Sequence, residues 1–133
     1  MSITEVVGGI LIRSGTVLAC RRAKTKHLAG YWEFPGGKLE SAENHAEALV
    51  RELFEELSMK CSVGQLVATS SNEEVRLTCY KIVSAKEPIL SDSHDEFRWL
   101  PKNLLDTLDW APLDVPVVSV LKLPENDHLW EEQ

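Results

Sequence analysis

Apolar and polar positions alternate along this chain in blocks that read as strands and helices. Residues 3–12, ITEVVGGILI, form an apolar run with two glycines and read as a buried strand. Ser14 and Gly15 make a turn, and residues 16–22 read as the hairpin partner. Residues 24–30 are polar and basic, as in a loop. Residues 33–37, EFPGG, read as a tight connection because Pro and paired Gly disfavour helix. A helix follows, with Ser41 as its N-cap and Ala42, Glu43 and Asn44 in its first turn. Its expected apolar stripe is Ala46, Val50, Leu53 and Leu57. Residues 61–70 and 75–84 read as two further strands, and residues 96–100 as a short one. A short helix is expected over residues 101–108, and a last one over residues 114–121, opened by Asp114 and Pro116. The polar residues 124–133 are expected to fray. The pattern predicts an α/β domain, an α/β/α sandwich around a mixed central sheet.

With 133 residues, 44% of them hydrophobic, the chain suits a single domain with a sizeable core. No apolar run approaches the ~20 residues that span a bilayer, so no membrane partner is expected. The start lacks the basic and apolar regions of a signal peptide. Cys20, Cys61 and Cys79 are odd in number and show no CxxC spacing, which fits reduced thiols in the cytoplasm. A net charge of −7 argues against a duplex nucleic-acid surface. It argues against any polyanion, unless acidic groups hold cations that reverse the local field.

One helix makes that exception attractive. At about 100° per residue, Glu55 lies about 60° to one side of Glu52 and Glu56 about 40° to the other. Three carboxylates on one face suit Mg²⁺, with Mn²⁺ as a possible substitute. The Gly37 backbone can approach the same place because no side chain intervenes. The competing reading is a solvated acidic face, in which Arg51 pairs with Glu55 at i,i+4.

Gly37, five residues, Glu43, seven residues, then Arg51-Glu52-Leu53-Phe54-Glu55-Glu56-Leu57-Ser58-Met59 resembles the Nudix box. The family pattern is matched at every fixed position except Ser58, where glycine is usual. Such a glycine ends the helix in the left-handed conformation, where serine costs about 1 kcal/mol. Arg21-Arg22-Ala23, residues 32–38 and residues 112–116 also resemble the MutT-like branch.

This resemblance implies the Nudix fold and a Mg²⁺-dependent hydrolase that cuts a nucleoside triphosphate into monophosphate and pyrophosphate. It implies Glu52 and Glu56 as metal ligands, helped by Glu55 and the Gly37 carbonyl. One of Glu52, Glu55 and Glu56 takes the proton of the attacking water. Glu96 is a catalytic candidate outside the box, with Asp95 as its rival. Arg51 and Glu43 orient the box by ion pairing. Arg22 and Lys38 are expected at phosphate, and Glu33 and Phe34 at the base, Phe34 as a stacking face. Asp114 is expected at the nucleobase edge, as a helix N-cap, or as both. The segment 110–116 is most similar to enzymes acting on cytosine or oxidised purine nucleotides such as 8-oxo-dGTP. Alternatives are hydrolysis of a nucleotide sugar or dinucleoside polyphosphate, and a non-catalytic nucleotide sensor. A monomer or homodimer is expected. His27, His45, His94 and His128 lack mutual ligand spacing and read as surface residues.

Overall fold

The computed structural model describes residues 2–131. Strand β1, Thr4–Arg13, runs through the centre. It turns at Ser14 and Gly15 into β2, Thr16–Arg22, pairing Ile12 with Val17. Two short strands follow, β3 at Trp32–Glu33 and β4 at Gly36–Lys38. Helix α1 spans His45–Leu57. Strands β5, Ser62–Ser71, and β6, Val75–Val83, form an antiparallel pair. Strand β7 is His94–Pro101, and α2 is Val115–Lys122. Short 3₁₀ turns cover Lys102–Thr107 and Pro124–Trp130.

Among the described residues the strands join in one seven-stranded sheet, with β1 and β6 parallel and the other pairs antiparallel. Both faces are covered, which is why β1 and β2 read as nearly continuous apolar runs. Alternation divides their side chains between two cores. Ile10, Ile12, Val17 and Ala19 pack with Val117, Val118 and Leu121 of α2. Val7, Leu11, Leu18 and Cys20 pack with Leu49, Leu53 and Leu57 of α1. The expected three-layer α/β/α architecture is present.

Several boundaries differ from the sequence reading. Asn44, not Ser41, caps α1: its side chain accepts from the Glu47 N–H, and the Glu47 carboxylate accepts from the Asn44 N–H. This reciprocal capping box satisfies two donors at once, which Ser41 is too far back to do. Ala42, placed in the first turn by the sequence, has φ 68° and lies outside the helix. The buried stripe is Leu49, Leu53 and Leu57 with Ala48, while Ala46 and Val50 are exposed. Leu49 and Val50 are both helical neighbours of Leu53, and the larger side chain takes the core. Pro35 interrupts the 33–37 connection without removing it from the sheet, since its flanks pair with β2 and β1. Residues 124–130 do not fray: Leu129 is buried and the Trp130 indole donates to the Leu121 carbonyl at 3.0 Å. Glu132 and Gln133 lie outside the described residues.

Ser58 ends α1 as anticipated, at φ 55° and ψ 34°. Its N–H donates to the Phe54 carbonyl at 3.0 Å, and the Met59 N–H donates to the Leu53 carbonyl at 3.3 Å. Burial of Met59 beneath α1 anchors the turn.

Candidate active site

A cleft of about 740 Å³ is lined by Val6 and Val7 of β1 and Leu77 of β6. The β4 backbone and α1 bound one end, where Glu52 and Glu56 face the cavity. Phe34 and Asp114 line the other end, and Arg22 and Glu33 lie between, near enough for their charges to act on both Glu56 and Asp114.

Close approach builds the α1 end. A Cβ on Gly37 would lie 2.5 Å from the Glu52 carboxyl carbon, so only glycine lets β4 sit this near the acid. The Gly36 N–H donates to Glu56 Oε1 at 3.2 Å. Arg51 lies behind the cleft and ties several groups together. Its Nε pairs with Glu43 at 2.7 Å, and its Nη1 pairs with Glu52 at 2.7 Å and Glu55 at 2.9 Å. Its Nη2 also donates to the Lys38 carbonyl at 3.0 Å. The Lys38 side chain is exposed at the cleft wall.

The three carboxylates of the box do not converge. Glu55 points to solvent, 57% exposed, and does not line the cleft. Among the described residues no three His, Cys, Asp or Glu side chains form a ready-made metal cluster. Arg51 takes Glu55 and one oxygen of Glu52, while Glu56 turns inward to Gly36. Glu52 and Glu56 remain side by side. Burial raises the Glu52 carboxyl above its usual range. Burial, then the charges of Glu33 and Glu52, push Glu56 up to about 8. Two crowded, partly desolvated carboxylates beside a cleft fit a divalent cation, whose charge would relieve both causes.

The opposite end depends on an edge contact. The chain after Asp109 runs beside β3: the Trp32 N–H donates to the Asp109 carbonyl and the Ala111 N–H to the Trp32 carbonyl, each at 2.8 Å. This brings Trp110 against Phe34, with ring centroids 4.8 Å apart. Phe34 is therefore only 4% exposed, and the expected free stacking face is largely occupied by Trp110. Asp114 follows on the same segment. Its Oδ2 accepts from the Phe34 N–H at 3.0 Å and it makes no side-chain cap bond to α2. Asp114 does hold the N-cap position of α2, but its carboxylate tethers the Phe34 backbone just after β3 instead of capping the helix. Burial, then the Glu33 charge, push the Asp114 carboxyl up to about 8.

Glu33 stands between the two ends. Its Oε1 accepts from Arg22 at 2.9 Å and its Oε2 pairs with His94 Nε2 at 2.8 Å. The Arg22 Nε also donates to the His27 carbonyl at 2.5 Å.

Glu96 lies away from this geometry. Its oxygens pair with Arg21 at 3.2 Å and Arg98 at 2.8 Å, and Asp95 pairs with Arg21 at 2.7 Å. Neither acid lines the cleft. Glu96 sits opposite Arg21 in the regular β2–β7 register, and a bulge just beyond it sets His94 apart, opposite Arg22. Without the bulge His94 and Glu96 would share one face; with it, Arg22 receives the histidine instead. His94 is the residue that sequence reasoning missed, since it is 2% exposed rather than on the surface. Its only signal is a register that the sequence does not reveal. His45 is half-buried, bonded to the Tyr80 hydroxyl at 2.8 Å, while His27 and His128 are exposed as expected. The three cysteines are free thiols, and among the described residues no helix is long and apolar enough to cross a membrane.

Known proteins resemble this chain in sequence and fold. The NUDIX domain model matches residues 3–121. The CTP pyrophosphohydrolase of Escherichia coli (strain K12) is 33% identical over 123 residues, covering 90% of this chain and 91% of that protein. The 8-oxo-dGTP diphosphatase of the same strain is 43% identical over 120 residues, covering 87% and 93%. The solution structure of the E. coli ORF135 protein superposes with a TM-score of 0.82 at 32% identity, covering 91% of this chain and 89% of that one.

Proposed function

Because the chain belongs to the Nudix family and is a hydrolase of phosphoric anhydride bonds, we propose that it is a Mg²⁺-dependent nucleoside triphosphate pyrophosphohydrolase. The products are a nucleoside monophosphate and pyrophosphate. The observation that carries this reading is one continuous cleft with crowded carboxylates at one end and a polar, buried recess at the other. Its volume of about 740 Å³ is within the usual span for small-molecule sites.

Glu52 and Glu56, with the Gly37 carbonyl, hold the cation, and Arg51 keeps Glu52 aligned from behind. Glu55 acts through its share of Arg51. Nudix hydrolases generally use divalent metal ions. When bound, such an ion supplies charge neutralisation for the phosphates. Arg22 and Lys38 add fixed positive charge along the polyphosphate path. The oxygen of a water forms a bond to phosphorus, the anhydride bond breaks, and pyrophosphate departs. A box carboxylate accepts the water proton.

Toward the other end, Asp114 and Glu33 read the base. A buried Asp114 carboxyl that keeps its proton near neutral pH can donate as well as accept. Cytosine or oxidised purine nucleotides are the proposed substrates, in line with the names of the two curated relatives. The free thiols fit a reducing compartment, the cytoplasm. The test is a product assay in Mg²⁺ with CTP, dCTP, dGTP, 8-oxo-dGTP, a nucleotide sugar and a dinucleoside polyphosphate. Fastest release of pyrophosphate from a triphosphate supports the reading. Preferential cleavage of either capped diphosphate replaces it.

A further inference from the structure

His94 is the buried polar group that the roles above leave unused. Its side chain is fully enclosed, and its Nε2 meets Glu33 Oε2 at 2.8 Å. Its Nδ1 is buried and has no hydrogen-bond partner among the described residues. An unpartnered buried nitrogen is a cost that a purely structural position sheds by carrying an apolar side chain. The single bond that the imidazole makes is therefore informative. A carboxylate can only accept, so the bond to Glu33 has His94 Nε2 carrying a proton and donating.

That bond completes a clamp. Arg22 holds Glu33 Oε1 from the cleft side and His94 holds Oε2 from behind, so neither oxygen is free to turn. Glu33 lines the cleft while His94 does not. The bulge that separates Arg21 from Arg22 in the β2–β7 register is what turns His94 to this side. The adjacent Ala23 N–H donates to the Ser93 carbonyl at 3.1 Å and fixes the strand entry.

We propose that His94 is a positioning residue for base selection: its imidazole fixes the Glu33 carboxylate against Arg22, so that Glu33 meets the nucleobase in one orientation. This rests on the nucleoside triphosphate reading above. Glu52 and Glu56 make no bond to His94, and Glu33 reaches Glu56 only through its charge, so loss of the clamp falls first on substrate binding and base choice.

The test compares wild type with His94→Leu, which has no donor, and His94→Gln, which keeps an N–H. Both kcat and KM are measured for the preferred nucleotide and for one with a different base, beside the melting temperature. His94→Leu should raise KM for the preferred nucleotide about tenfold, the effect of one hydrogen bond to a charged group. Its kcat should stay within about twofold, base preference should narrow, and His94→Gln should recover most of the loss. Unchanged KM in His94→Leu overturns the proposal, as does equal damage in the two variants or a loss confined to kcat. Where His94→Leu fails to fold, the imidazole nitrogen resonances of the wild type decide. A ring with a proton on Nε2 whose signal moves when CMP binds supports the clamp, and a signal unmoved at saturating CMP overturns it. A wild type that cleaves no nucleoside triphosphate refutes the substrate reading first, before any variant is compared.

Discussion

The Phe34 backbone N–H donates to the Asp114 carboxylate at 3.0 Å, joining groups 80 residues apart in the chain. The bond ties the segment before α2 to β3 and closes one end of the cleft. It also holds an acid where burial and the Glu33 charge keep its proton affinity near 8.

Asp114 makes the stability of the metal-free protein pH-dependent. Its folded pKa of about 8 exceeds the unfolded value of about 4. The folded state thus retains a proton that the unfolded chain releases, and stability falls as pH rises between those values. The contribution is complete below pH 4 and gone once pH has passed through about 8. Asp114→Asn keeps an acceptor for Phe34 but cannot ionise. Its melting temperature should gain on wild type from pH 5 to pH 8.5, by roughly 4 °C for each kcal/mol. Thermal denaturation in chelator checks this, and a pH-independent gap would contradict it.

Glu52→Gln and Glu56→Gln should each lower kcat by a hundredfold or more, on the order of 3 kcal/mol of barrier. Neither should lower the melting temperature much, because each removes a carboxylate whose charged form burial disfavours. Steady-state rates and melting curves of the same preparations separate the two effects. Near-normal turnover in both variants would remove α1 from the chemistry.

The two glycines of β4 should behave oppositely. A Cβ at Gly36 would fall 1.9 Å from the Val7 carbonyl oxygen, which is backbone and cannot give way. A Cβ at Gly37 would meet the mobile end of Glu52 at 2.5 Å. Gly37→Ala should therefore lose kcat about tenfold or more with a small change in melting. Gly36→Ala should destabilise the fold by about 1–3 kcal/mol. Equal losses of stability would show that Gly37 serves packing alone.

Much of this was legible in the sequence because it is local. The β1–β2 hairpin, the two later strands, α1 and the box spacing depend on alternation, a Ser-Gly turn and helical period. The left-handed Ser58 follows from its place in the box. What escaped was decided by chain segments far apart. Trp110 occupies the Phe34 ring only because the 109–111 segment pairs with β3. Glu96 falls to Arg21 by the β2–β7 register, and the one-residue bulge beyond it gives His94 to Glu33. Three carboxylates on one helix face gave an incomplete account, since Arg51 draws Glu55 outward.

Ser58→Gly should raise stability by about 1 kcal/mol, since glycine adopts φ 55° without a Cβ penalty. The melting temperature should rise by roughly 4 °C, with kcat unchanged because Ser58 faces no part of the cleft. Unaltered melting would mean that the buried Met59 anchor already offsets the strain.

The most direct measurement follows the products of CTP and 8-oxo-dGTP with wild-type protein, in excess Mg²⁺ and in excess chelator. The account predicts nucleoside monophosphate and pyrophosphate in equal amounts from at least one of them, with turnover abolished by the chelator. Turnover that persists in chelator, or release of orthophosphate and nucleoside diphosphate instead, would contradict it.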